Sequence, residues 1–149
     1  MIENILADAF YGPLATLVVS LLLGSILGLE RTLAHKVAGV RTYGLVSMGS
    51  SLFILIARYV VPTSSIYSFD PLRIAAAIVM GIGFLCGGVI VFKDSTLQGL
   101  TTAAGLWVVA GIGMAVGYGF ILLAVFATAA TLVVFTLFWF IEHRIVNSK

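Results

Sequence analysis

Glu30 and Arg31 stand side by side, and Arg41 and Thr42 follow shortly after, in a chain of which only 9% is charged. Guanidinium groups bind carboxylates and phosphates through paired N–H donors, and a neighbouring acid can serve as an internal counter-ion. Thr101 and Thr102, far along the chain, carry hydroxyls of the kind that cap helix N–H groups. Where two helix starts meet, their positive dipole ends add to the same attraction for anions. Glu30, Arg31, Arg41, Thr42, Thr101 and Thr102 therefore form a candidate polar cluster suited to an anion or carboxylate. A plainer reading also holds: Arg31 and Lys36 serve as a topological anchor, and each threonine serves as an ordinary cap. That reading leaves Glu30 unexplained. A second polar group, Arg58, Asp70 and Arg73, has a structural use, with Asp70 as a helix cap and Arg73 within reach of it on the same face.

The elements that must position these residues are apolar. The 149 residues are 61% hydrophobic, with a mean hydropathy of +1.18, whereas about 25% of a soluble domain is charged. Such a chain cannot clothe a globular surface and belongs in a membrane. Its net charge of +2 gives no reason to expect nucleic acid. The single Cys86 excludes an intrachain disulfide and any multi-cysteine metal site. No Ser/His/Asp or Cys/His set and no HExxH motif is present, and His35 and His143 fall outside the apolar runs. The expectation is a protein that is not an enzyme and holds no cofactor or metal. The stretch before Glu30 holds Glu3 and Asp8 but no basic residue, so the first apolar run reads as a retained span, not a cleaved leader.

Five runs are long enough to cross a bilayer: residues 13–29, 43–61, 71–92, 101–116 and 120–141. Backbone in hydrocarbon must satisfy itself, and no alternating strand pattern is present, so the predicted fold is an all-α, five-span bundle forming one domain over 1–149. Arg31, Lys36, Arg41, Lys93, Arg144 and Lys149 then fall on one side, leaving Arg58 and Arg73 near span ends on the other. The positive-inside rule puts the N-terminus outside and the C-terminus in the cytoplasm.

Small residues recur four apart at Gly24–Gly28, Gly83–Gly87, Gly113–Gly117 and Ser47–Ser51, a spacing that lets membrane helices approach closely. Packing within one bundle is the simple use; self-association through Gly24–Gly28 or Gly113–Gly117 is the alternative. The first two glycine pairs, each followed by a loop and a threonine, suggest a weak parallel repeat of two helical hairpins. The third span holds Gly81, Gly83, Gly87 and Gly88, which weaken an isolated helix, so close contact and a central place are expected for it. Cys86 within it reads as a small buried hydrophobe.

The blocks GSILGLER (24–31), AGVRTYGLVSMGSSLF (38–53), DPLRIAAAIVMGIGFLCGGVI (70–90) and QGLTTAAGLWVVAGIGMAVG (98–117) occur in this order, and together they resemble the membrane domain of the MgtC/SapB family. The resemblance implies a bacterial inner-membrane protein of five spans, tied to growth under magnesium limitation and to virulence through survival inside phagocytes. It implies a non-enzymatic regulator, in some members acting on the ATP synthase by contacts within the bilayer. The alternative, drawn from Glu30, Arg31, Asp70 and Arg73 as a path, is a small Mg²⁺ or other ion transporter or channel. Expected partners are membrane lipids, other membrane proteins and, through the small-residue faces, further copies of the chain as a homo-oligomer. The motif positions carried over are Glu30, Arg31, Arg41, Thr42, Asp70, Arg73, Thr101, Thr102 and Cys86. The sequence ends soon after the fifth span, so the form expected is a short SapB-like one, without the soluble C-terminal domain of many virulence-type members.

Overall fold

The computed structural model describes residues 2–60, 70, 72–93 and 95–146. The expected outer loop over 62–69, Pro71 at the start of the third span and Lys149 lie outside these residues. Helix α1 (Ile2–Leu33) has 32 residues and runs roughly 48 Å at 1.5 Å per residue, well beyond a hydrocarbon core. It continues through Pro13, where the sequence placed the start of the span. Helix α2 (Val40–Val60) returns, and α3 (Leu72–Val89) crosses again. Helix α4 (Leu100–Tyr118) and α5 (Ile121–Val133) complete the crossings. A five-residue π-helical segment, Val134–Phe138, joins α5 to the short α6 (Trp139–Val146), so the last crossing is one rod with a wider turn inside it. Among the described residues five helices are long and apolar enough to span a membrane, as the sequence predicts.

One departure lies where the third run was expected to reach residue 92. The helix stops at Val89, and Val91–Lys93 (β1) pairs antiparallel with Thr96–Gln98 (β2) in a short hairpin. The β-branched and aromatic residues here favour a strand once the chain leaves the bundle. Ser95 turns the corner with φ of 61°, and the Thr96 hydroxyl donates to Lys93 O at 2.8 Å. Gly99 follows with φ of +90°, and a Cβ there would run into the Val89 carbonyl, so glycine alone suits this entry into α4.

The centre of the bundle is α4, not α3. Over half of α4 (56%) is buried inside the protein, against 6% of α3. Helix α2 packs against both α1 and α4, α5 packs on α4 and α1, and α3 leans on α4 while scarcely touching α2. A Cβ on Gly81, Gly83, Gly87 or Gly88 would meet nothing within 4 Å. Glycine richness misleads here because a helix in hydrocarbon has no alternative backbone partners, so the helical penalty measured in water carries less weight.

The close approaches lie elsewhere. At Gly24 a Cβ would stand 2.6 Å from Ser47 Cβ and Tyr43 O, and at Gly28 2.6 Å from Val40 Cα. On the other side of α2, one at Gly113 would enter the Ser47 carbonyl, and one at Gly117 would lie 2.8 Å from Ile54 Cβ and 3.0 Å from Ser51 O. Ser47 and Ser51 are fully buried, and among the described residues their hydroxyls have no hydrogen-bond partner. They fit this seam by size, with α1 and α4 pressed close on either side. Gly24–Gly28 and Gly113–Gly117 thus serve packing inside the chain, and Gly83–Gly87 does not. The two glycine pairs of the sequence repeat therefore have different surroundings.

Gly113→Ala should destabilise the folded protein by about 1–3 kcal/mol, the usual cost of overpacking, while Gly83→Ala should change it by less than about 0.5 kcal/mol. Thermal unfolding in detergent micelles measures both, and equal effects would contradict the packing described.

Candidate functional site

The last turn of α1 delivers Glu30 and Arg31 to the end of the bundle where α2 and α4 begin. Arg31 is 4% exposed and Glu30 18%. The guanidinium holds the carboxylate with two parallel bonds, Nε to Oε2 and Nη2 to Oε1, the latter 2.7 Å. This paired geometry is the strong form of the interaction. The flat face of the guanidinium lies over the Phe135 ring, 3.7 Å from its centroid, a cation–π contact. A cation in the last turn also suits the negative end of the α1 dipole.

Three further residues make room for this arrangement. Phe135 belongs to the π-helical segment, a feature that re-aims side chains and is frequent at functional sites. Tyr43 is fully buried, and its hydroxyl donates to Thr102 O at 3.2 Å, bracing α2 against α4. Gly105 on α4 lies beneath both rings; a Cβ there would stand 2.6 Å from Phe135 Cζ and would collide with the Tyr43 hydroxyl. The return from α1 to α2 is held by Thr32, whose hydroxyl donates to Gly28 O at 3.0 Å and accepts the Val40 N–H at 3.1 Å. His35 closes α1 with φ of 54°.

Of the six residues proposed from the sequence, the structure gathers Glu30, Arg31 and Thr102. Arg41 and Thr42 are exposed on the first turn of α2, and Thr101 is exposed on that of α4. Among the described residues no ion pair joins Arg41 to Glu30. The capping expected of the threonines is also met differently. Thr32 caps α2 from the preceding helix, and α4 starts at Gly99 with no side-chain cap. Thr102 contributes its backbone carbonyl. Tyr43, Phe135, Gly105 and Thr32 escaped the sequence reading. Tyr43 alone carried a signal, as a phenol set inside an apolar run directly after Arg41 and Thr42.

At the opposite end Asp70 caps α3 as expected, its Oδ1 accepting the Leu72 N–H at 2.9 Å. Arg58 donates to Gly117 O at 3.1 Å, satisfying a carbonyl at the end of α4. Among the described residues neither Arg58 nor Arg73 forms an ion pair with Asp70. Cys86 is half-buried, with Sγ 3.2 Å from Ala103 O, a contact between α3 and α4.

The fold and site define a class: a small five-span helical membrane protein with an internal acid–arginine pair clamped by an aromatic ring. Comparison with known proteins gives the family. The sequence pattern that defines the MgtC family matches residues 17–144, and the chain belongs to that family. It is 38% identical over 142 residues to YhiD of Escherichia coli (strain K12), described as a candidate magnesium transporter, with 91% of this chain and 66% of YhiD covered. It is 46% identical over 103 residues to protein MgtC of Salmonella typhimurium (strain LT2), covering 69% of this chain and 42% of MgtC. An uncharacterized protein of Synechocystis sp. is 41% identical over 139 residues, with 91% of this chain and 57% of that protein covered. The chain thus spans just under two thirds of YhiD and less than half of MgtC. No solved structure matches it.

Removing one partner of a buried pair costs about 3–5 kcal/mol, because the other charge is left uncompensated. Arg31→Met should therefore destabilise the protein more than the double change Glu30→Leu with Arg31→Met. Unfolding free energies of the two single variants and the double variant test this, and simple additivity would contradict it.

Proposed function

We propose that this MgtC-family chain is a non-catalytic protein of the bacterial inner membrane. In this reading its N-terminus is outside, its C-terminus is cytoplasmic, and it acts in magnesium-related physiology by docking against another membrane protein inside the bilayer. The observation that carries the proposal is the outward face of α3. Gly83 and Gly87 share that face with Ala76 and Met80, since residues three and four apart lie together on a helix. Among the described residues, and apart from the adjacent backbone of α3 itself, no atom lies within 4 Å of the side-chain position at either glycine. Beside them Phe84 is 84% exposed. A face of small residues flanked by one large ring suits close approach by a second helix. The Glu30–Arg31–Phe135 clamp fits this reading as the device that keeps the other four helices in one arrangement while α3 is presented.

The second reading, passage of an ion through the bundle, draws on the description of YhiD as a candidate magnesium transporter. Glu30 is the acid that such a path would use. Its carboxylate is already engaged by Arg31, whereas Mg²⁺ prefers several oxygen ligands and retained water.

The two readings separate by experiment. In liposomes containing the purified chain, no Mg²⁺ flux above that of empty liposomes is expected. The double variant Gly83→Leu with Gly87→Leu should insert and fold like the parent, yet fail to restore growth at low magnesium to a strain lacking its own copy. Flux that Glu30→Gln abolishes, or full growth with both leucines in place, would overturn the proposal.

A further inference from the structure

A groove of about 780 Å³ separates α2 from α3, on the face of α3 opposite Gly83 and Gly87. Leu45, Phe53 and Ala57 on one wall face Ile74, Ile78 and Leu85 on the other. The hydroxyl of Ser50, also in the lining, already donates to Val46 O at 2.8 Å, so the groove offers no free polar group from that residue. Its walls scarcely touch each other, so the groove is a standing gap between two spans. From Leu45 to Ala57 it runs roughly 18 Å at 1.5 Å per residue, close to the depth of one leaflet, about half of a ~30 Å core.

The end of the groove near Ala57 and Ile74 carries unusual charge. Arg58 follows Ala57, Arg73 precedes Ile74, and both are exposed. They are the basic residues that the positive-inside rule does not account for. They flank the mouth without lining the groove. Arg58 uses one N–H on Gly117 O and retains the other donors of its fork, and Arg73 has no side-chain bond among the described residues. Asp70, the acid beside the mouth, spends Oδ1 on the Leu72 N–H; Glu3 and Asp8, at the same end of the bundle, belong to α1. On this end of α2 and α3 and the segment between them two cations stand against one acid, at the level where long basic side chains reach the headgroups.

We infer that the groove is a lipid site: it takes an acyl chain of an anionic phospholipid from the leaflet opposite the Glu30–Arg31 end, with the headgroup phosphate held near Arg58 and Arg73. The apolar lining and leaflet-deep length select the chain, and the two cations select the headgroup. A lipid held there fills the gap that α2 and α3 leave and ties α3 to the bundle.

The test uses a Phe53→Trp reporter in the groove and a Phe84→Trp reporter on α3 outside the groove lining, each with Trp107 and Trp139 replaced by Phe. Quenching by brominated phosphatidylglycerol against brominated phosphatidylcholine in mixed vesicles gives the relative affinity at each place. At position 53 phosphatidylglycerol should be preferred by about fivefold, the size expected for one net charge near a membrane surface; at position 84 the two should be nearly equal. Arg58→Gln with Arg73→Gln should bring the position-53 ratio close to one. Arg73→Gln alone, which leaves the Arg58 bond intact, should lower it part of the way. A ratio of one in the parent, a ratio unchanged by both arginine variants, or a position-53 reporter quenched by neither lipid because a second copy covers the groove would each overturn the inference.

Discussion

A guanidinium enclosed among the helices at one end of the bundle is the constraint on which this structure turns. A buried cation without a partner is costly, and every element near Arg31 answers the cost. Its own neighbour Glu30 supplies the opposite charge, the π-helical segment supplies the ring of Phe135, and Gly105 leaves space for that ring and for Tyr43. The hydroxyl of Tyr43 then fixes α2 to α4. Four of the five spans therefore meet at one polar point, and their relative rotation is set there.

The rest of the bundle follows from small residues. Helix α2 lies between α1 and α4 along a seam of glycine and serine, where packing, not the hydrophobic effect, holds membrane helices together. Helix α3 has no such seam. It touches α4 at Cys86 and ends in the exposed β-hairpin, and its glycines are open. The protein thus consists of a locked four-helix core and a span left available on two faces, one small-residued and one grooved.

The sequence made the number of spans, their order and their approximate limits legible, because twenty-residue apolar runs have one solution in a bilayer. It also singled out Glu30, since an acid at that place has no topological use. It could not show which helix is central. In water an exposed Phe84 would argue against an outer position; in lipid it does not. Arg41 was grouped with Glu30 by nearness along the chain, but the tight return through Thr32 and Gly39 leaves it exposed on the first turn of α2. Phe135 was out of reach because a π-helical turn shifts the facing of every later residue, and nothing in LVVFTLFWF announces it. Asp70 was read correctly because an N-cap is a local decision of backbone and side chain.

The central claim is that the Arg31 guanidinium is enclosed and bound to Glu30. Solid-state NMR of the protein in bilayers, with ¹⁵N in arginine and ¹³C in glutamate side chains, measures this directly. The account predicts a dipolar contact between the Glu30 carboxylate carbon and the Arg31 side-chain nitrogens, with guanidinium N–H groups that exchange far more slowly than those of exposed Arg41. Absence of that contact, together with Arg31 exchange as fast as at Arg41, would contradict it.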